Sequence, residues 1–107
     1  MVNMQRIDKL KALLADAPND SFLQHALALE YVKMGDDAAA RNYFENLLSN
    51  DETYIGSYYH LAKLLERADA REDAIRWYEK GILKAKEAGD QHALSELRSA
   101  YEDLLDE

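Results

Sequence analysis

Three histidines are the side chains of this chain best suited to metal binding or to proton transfer near neutral pH, because the ordinary pKa of histidine is about 6.5. They are His25, His60 and His92. A helix that binds zinc commonly supplies two histidines one turn apart. These three lie on different predicted helices and form no such pair. We therefore predict no metal site and interpret the histidines as solvated or partner-contacting residues.

Serines and acidic residues are plentiful, but they form no pattern typical of covalent or acid–base catalysis. The chain contains no cysteine and no glycine-rich phosphate loop. Its adjacent carboxylates, Asp36 with Asp37 and Glu72 with Asp73, fall at predicted helix starts, where negative charge interacts favourably with the helix dipole. We therefore predict that the protein is not an enzyme and has no catalytic residue and no cofactor.

Charge and hydropathy argue against several classes of partner. The 107 residues carry a formal net charge of -8, which would repel the phosphate backbone of a nucleic acid. No stretch approaches the roughly 20 apolar residues that a membrane-spanning helix needs. Residues 1–14 include charged side chains and so lack the continuous apolar run of a secretory signal. We expect a cytoplasmic protein that binds neither nucleic acids nor membranes.

Helices must position the groups described above. Apolar residues recur at intervals of three and four nearly throughout, as in Leu94, Leu97, Tyr101 and Leu104, and no period of two is sustained. Glycine and short acceptor side chains interrupt the pattern where one helix can end and the next begin. The sequence therefore predicts an all-α protein of six helices. Their expected ranges are 3–16, 21–34, 37–50, 55–67, 71–87 and 91–105.

Two stretches of the chain align on each other at a spacing of 34 residues. The first contains Leu27, Ala28, Ala40, Phe44 and Leu48, and the second repeats them as Leu61, Ala62, Ala74, Tyr78 and Ile82. A period of this length indicates a stacked array of helix pairs. Short loops make neighbouring helices antiparallel, and the small residues allow paired helices to approach closely.

The pattern resembles the tetratricopeptide repeat (TPR) family. The matching positions are Gln24, Leu27, Ala28, Tyr31, Gly35, Ala40, Phe44 and Leu47 in the first copy, and Tyr58, Leu61, Ala62, Leu65, Asp69, Ala74, Tyr78 and Gly81 in the second. The chain departs from the family at Gln24, where an aromatic residue is usual, and at Glu52 and Lys86, where proline is usual. The resemblance implies an all-α fold of antiparallel helix pairs stacked as a short right-handed superhelix.

The resemblance covers nearly the whole chain. It implies a single TPR domain, residues 1–107, made of an N-terminal half repeat (1–20), two full repeats (21–54 and 55–88) and a C-terminal capping helix (89–107). Arg98 stands at the small-residue position of the last helix, which suits a terminal helix with a polar outer face.

Members of this family bind partners in a concave groove lined by the first helix of each repeat. The resemblance therefore implies a peptide-binding groove formed by Phe22, His25, Leu29, Lys33, Tyr59, His60, Lys63 and Arg67. Apolar anchors at Phe22, Leu29 and Tyr59, with Lys63 or Arg67 as orienting groups, would suit an extended or helical peptide of some acidic character. The alternative is structural: Phe22 packs against the first helix and Tyr59 covers the joint between repeats.

The sequence thus favours a protein–protein interaction module that binds an unknown peptide or protein segment. The alternative function is structural self-association, in which the ends of a short array pair with a second copy to form a homodimer. That alternative would gain support if the first helix carried an apolar outer stripe formed by Met1, Val2, Met4 and Ile7.

Overall fold

The structure is a computed structural model that describes residues 4–107, and in that part of the chain six α-helices are present and no strand. The helices are α1 (Met4–Asp16), α2 (Ser21–Met34), α3 (Asp37–Asn50), α4 (Gly56–Arg67), α5 (Arg71–Ala88) and α6 (Gln91–Leu105). The predicted all-α class is confirmed, and every described helix end lies within one residue of its expected position. The expected first residue of α1, Asn3, lies outside the described residues.

The chain divides into two compact units, an N-terminal unit (Met1–Asp51) and a C-terminal unit (Glu52–Glu107). Each contains three helices, α1 to α3 in the first and α4 to α6 in the second. The finer division into a half repeat, two full repeats and a capping helix stays a prediction.

In the N-terminal unit, α2 packs against both α1 and α3. Ile7 and Leu10 of α1 are buried in one cluster with Ala26 and Leu27 of α2. Because Ile7 is only 1% exposed, it cannot contribute to an apolar outer stripe on α1. Met4 is exposed, and Met1 and Val2, the other two members of the expected stripe, lie outside the described residues.

In the C-terminal unit, α5 packs against both α4 and α6. Leu97 and Leu104 on the inner face of α6 are buried, whereas Arg98 is exposed. Arg71 at the start of α5 donates to the backbone carbonyl of Leu104, 3.3 Å away. The same carbonyl accepts from the backbone N–H of Glu107, also at 3.3 Å, so Arg71 adds a second donor at the end of α6.

Each unit contains an equivalent hydrogen bond between the start of a helix and the loop before it, but the donor is a different residue type in each unit. In the C-terminal unit the hydroxyl of Tyr58 donates to the backbone carbonyl of Glu52, 2.7 Å away. At the positions 34 residues earlier, the side-chain amide of Gln24 donates to the carbonyl of Pro18, 2.8 Å away. Gln24 therefore replaces the usual aromatic residue while keeping the bond that ties the start of the helix to the preceding loop.

Glu52, which stands where the family usually has proline, forms ion pairs instead. Its carboxylate lies 3.2 Å from the ammonium of Lys80 and 3.3 Å from that of Lys84, both on α5. Hydrogen bonds from these two ammonium groups lower the pKa of Glu52 below its ordinary value. The side chain thus links the loop before α4 to α5.

Gly81 is buried where α5 packs against Tyr58 of α4 and Leu97 of α6. A Cβ atom added there would stand 2.7 Å from Cβ of Tyr58 and 3.2 Å from Cδ1 of Leu97. In the N-terminal unit the equivalent positions hold a smaller side chain, Gln24, and a larger one, Leu47. The close approach of α5 to Tyr58 and Leu97 therefore leaves no room for a side chain at Gly81.

The turns after α2 and α4 are built alike but with different residues. Gly35 and Asp69 both have left-handed backbone conformations, with φ of 85° and 59°. The next residue is Asp36 in the first turn, and its carboxylate caps α3 by accepting from the backbone N–H of Ala39. In the second turn that residue is Ala70, which provides no side-chain cap for α5.

We expect Gly81→Ala to lower the free energy of unfolding by about 1 to 3 kcal/mol, because the new methyl group overpacks against the backbone-proximal Cβ of Tyr58. Higher helix propensity alone would raise stability by about 1 kcal/mol. Urea denaturation of both proteins gives the difference. Ser95→Ala, at an exposed position of α6, is the control for propensity. A stabilised Gly81→Ala protein would contradict the packing argument.

Transferring the residues of the first turn to the second, as Asp69→Gly with Ala70→Asp, should stabilise the protein by about 1 to 2 kcal/mol. The glycine relieves the left-handed strain and the aspartate adds a helix cap. Thermal unfolding of the double variant and of each single variant measures the two contributions. The reverse exchange, Gly35→Asp with Asp36→Ala, should destabilise the protein. A neutral result in both directions would show that these turns do not limit stability.

Candidate partner-binding surfaces

The outer face of α2 carries apolar side chains that the N-terminal unit does not bury. Phe22 is 64% exposed, so it does not pack away against α1. His25 and Leu29 are half-buried on the same helix. The ring of His25 meets the ring of Phe44 on α3 edge-on, at 5.9 Å between centroids. This face combines one exposed aromatic ring with partly covered apolar neighbours.

Lys33 is the one lysine among the predicted groove residues on α2, and it belongs to an ion cluster. Its ammonium lies 3.1 Å from the carboxylate of Glu30, which is itself nearly buried. The guanidinium of Arg6 on α1 lies 3.2 Å from the same carboxylate. Glu30 thus joins α1 to α2 and partly neutralises Lys33. The spacing of Glu30 and Lys33 on one helix is visible in the sequence, whereas the contact of Arg6 comes from another helix and is not.

On α4 the cation Lys63 belongs to a network that reaches the interior. Its ammonium lies 3.5 Å from the carboxylate of Glu66. The same carboxylate accepts a hydrogen bond from the hydroxyl of Tyr78, a fully buried residue of α5. Burial and this hydrogen bond raise the pKa of Tyr78 far above its ordinary value. We call Lys63, Glu66 and Tyr78 the α4 network.

The equivalent positions of the N-terminal unit hold no such network. Thirty-four residues before Lys63, Glu66 and Tyr78 stand three apolar residues, namely Leu29, Val32 and Phe44. All three polar groups have therefore been replaced together. At these three positions the N-terminal unit has apolar side chains, and the C-terminal unit has charged and hydrogen-bonded ones.

His60 is half-buried on α4 and interacts electrostatically with Glu96 of α6. Its ring meets that of Tyr59 edge-on, with 5.8 Å between centroids. Burial lowers the pKa of His60 below the ordinary 6.5, the carboxylate of Glu96 on α6 opposes that shift, and the cation of Arg67 adds to it. At neutral pH the ring is therefore uncharged and accepts or donates hydrogen bonds without adding charge to the surface.

The structure places the predicted site residues in two groups, one on each unit. Phe22, His25, Leu29 and Lys33 lie on α2, and Tyr59, His60, Lys63 and Arg67 lie on α4. Glu66 and Tyr78, which hold Lys63, are absent from the predicted set. Comparison of the two copies would have revealed them, because both positions change from apolar to polar together with Lys63.

Two further findings concern the described part of the chain. Within residues 4–107, no group of three or more histidine or carboxylate side chains is placed to hold a metal ion. None of the helices in that range has the length and hydropathy of a membrane span.

The lowered pKa of His60 predicts a specific pH dependence of stability. Between the ordinary pKa and the lower pKa of the folded state, the unfolded chain binds more protons at His60 than the folded chain does. The contribution of neutral His60 to the free energy of unfolding is therefore fully present above about pH 6.5 and is lost as the pH falls below that value. His60→Gln should remove that part of the dependence, as measured by urea denaturation from pH 5 to 8. The exposed His92→Gln is the matched control. Identical profiles for the original protein and His60→Gln would contradict the assignment.

Several solved structures are similar to this chain. A tetratricopeptide repeat domain protein from Salinibacter ruber, solved by crystallography, is 45% identical, with 79% of this chain and 94% of that chain covered and a TM-score of 0.77. A solution structure of a tetratricopeptide repeat domain protein from the same organism is also 45% identical, covers 81% and 88% of the two chains, and has a TM-score of 0.77.

A solution structure of a protein from Bordetella parapertussis is 27% identical, with 92% of this chain and 86% of that chain covered and a TM-score of 0.80. No family model and no curated protein matches the chain. The identity to the Salinibacter ruber domain extends over most of both chains. The resemblance that the 34-residue spacing indicated is therefore confirmed, and the chain belongs to the tetratricopeptide repeat family.

Proposed function

We propose that the chain is a protein-interaction module that holds a peptide or protein segment by non-covalent contacts and carries out no catalysis. The exposed faces of α2 and α4 are the proposed contact surfaces. The observation that carries this proposal is the exposure of Phe22, which at 64% is the most exposed large apolar side chain of the described residues. The family of the chain supports the same class of function.

An exposed phenylalanine has a thermodynamic reason to bind a partner. Burying such a side chain contributes about 1.5 to 3 kcal/mol, and here that free energy is not gained within the unit. Leu29 lies on the same helix and is only half-buried, so a partner that covers Phe22 also gains contact area with Leu29. Aromatic and aliphatic anchors of this kind contribute most of the affinity in many interfaces.

The face of α4 sets a different requirement for its part of the partner. Lys63 can donate to a carboxylate or carbonyl of the partner, but Glu66 already attracts its ammonium. A partner carboxylate must therefore compete with Glu66 for Lys63. We propose that polar contacts to Lys63, Arg67 and His60 orient the partner and that the apolar face of α2 supplies most of the affinity.

The proposal predicts the result of an affinity capture from the source cell. Phe22→Ser with Tyr59→Ala and Lys63→Ala should lower the recovery of the captured partner by about tenfold or more, since each lost anchor contributes roughly 1 kcal/mol or more. Circular dichroism should show unchanged helicity. The matched control, Leu83→Ser with Arg98→Ala, alters an exposed apolar and an exposed basic residue of α5 and α6. It should leave recovery unchanged.

Two results would overturn this function. Equal recoveries from the triple variant and the control would exclude the proposed faces as contact surfaces. Light scattering at two protein concentrations tests the alternative function, a homodimer. A concentration-dependent dimer that the triple variant abolishes would assign these faces to self-association instead.

A further inference from the structure

The first and last described helices, α1 and α6, have complementary places in the pattern of helix pairs. In the pairs α2 with α3 and α4 with α5, one helix comes first along the chain and the other comes second. By its place before α2, α1 corresponds to a second helix of a pair. By its place after α5, α6 corresponds to a first helix. One chain therefore carries both members of a further pair, on different units.

The face of α1 that corresponds to the buried face of α3 is exposed. Ala40 and Leu47 on α3 are completely buried. Thirty-four residues earlier stand Arg6 and Leu13, and both are exposed. We call Arg6 and Leu13 the α1 face. It keeps the spacing of a face that packs in the complete pairs, but it has an arginine in place of the small residue.

The buried side chains of α6 have the same spacing as those of α4. They are Leu94, Leu97 and Ala100 on α6, and Tyr58, Leu61 and Leu64 on α4. In this alignment Arg98 takes the place of Ala62, which is completely buried. Arg98 is exposed. α1 and α6 therefore each carry an exposed arginine where the complete pairs have a buried alanine.

We propose that Arg6 and Arg98 prevent molecules of this protein from joining head to tail through α6 of one molecule and α1 of the next. That contact would place both arginines where the pair of α4 and α5 buries Ala62 and Ala74. Two arginine side chains greatly exceed the volume of two methyl groups, and burying two like charges together is unfavourable. The arginines therefore oppose the contact by size and by charge.

An ion pair fixes Arg6 in the position where it opposes docking. Its guanidinium lies 3.2 Å from the carboxylate of Glu30 on α2, which is nearly buried. A helix that docked on the α1 face would have to bury this ion pair or break it, and both are unfavourable. The ammonium of Lys33 lies 3.1 Å from the same carboxylate, so Glu30 keeps a cationic partner when Arg6 is replaced.

A second molecule of the same chain is the partner that these two faces fit. Helix α1 has three basic and two acidic side chains, whereas α6 has one basic and three acidic side chains. Their opposite net charges attract at long range, so only the close contact is opposed. A head-to-tail contact leaves one face open on each end of the assembly, and it would extend into a filament. Two arginines thus keep the domain from growing.

Sedimentation velocity over a dilution series tests the proposal on the full chain. We expect the original protein to be a monomer. Arg6→Ala with Arg98→Ala should form oligomers that grow with concentration, because each molecule then offers both opened faces. Circular dichroism should show unchanged helicity. Lys11→Ala with Lys86→Ala removes two positive charges at other exposed positions and should remain a monomer.

Mixing the two single variants separates a head-to-tail contact from general adhesion. Arg6→Ala and Arg98→Ala should each be monomeric alone, because every contact between identical molecules keeps one arginine. Their mixture should form a dimer with one molecule of each variant and grow no further. Adding Phe22→Ser, Tyr59→Ala and Lys63→Ala should change none of these results, so the proposed function is tested separately. Oligomers of the original protein, a monomeric double variant, or no mixed dimer would overturn the proposal.

Discussion

Close packing between paired helices is the constraint on which the rest of this structure depends. Ala28 and Ala40 in one unit, and Ala62 and Ala74 in the other, are completely buried. At such positions a larger side chain would overpack a densely filled interior. Because each helix commits one face to this packing, its remaining face is left for solvent or a partner. The positions of the proposed contact surfaces follow from the positions of the small residues.

The repeats keep physical roles more strictly than residue types. Gln24 and Tyr58 differ in size and chemistry, yet each donates to the carbonyl six residues earlier. Their size difference is accompanied by an opposite one at the positions of Leu47 and Gly81. The departure from the family pattern at Gln24 is therefore a substitution that the three-dimensional contacts explain. Glu52 is a further case, because its ion pairs to α5 stand in the place of a proline.

Differences between the copies are concentrated where packing leaves freedom. The α4 network is charged and hydrogen-bonded, whereas the equivalent residues on α2 and α3 are apolar. Asn42 and Asn46 are exposed amides where the second copy has cations that engage Trp77 and Asp73. A binding surface requires such asymmetry, because two identical faces would recognise only a repeated partner. The proposed contact surfaces therefore include positions at which the two copies differ, such as Leu29 and Lys63.

By itself the sequence determined the helical class, the family and nearly every helix boundary, because these depend on local periodicity, capping residues and a 34-residue spacing. It also located the helices that carry candidate site residues. Only the tertiary structure decided which groups of other helices contact them and their neighbours. The pairs Glu30 with Lys33 and Lys63 with Glu66 are three residues apart on one helix, a spacing that the sequence already shows. Arg6 and Tyr78 complete these contacts from other helices, and spacing along one helix cannot reveal a distance between two.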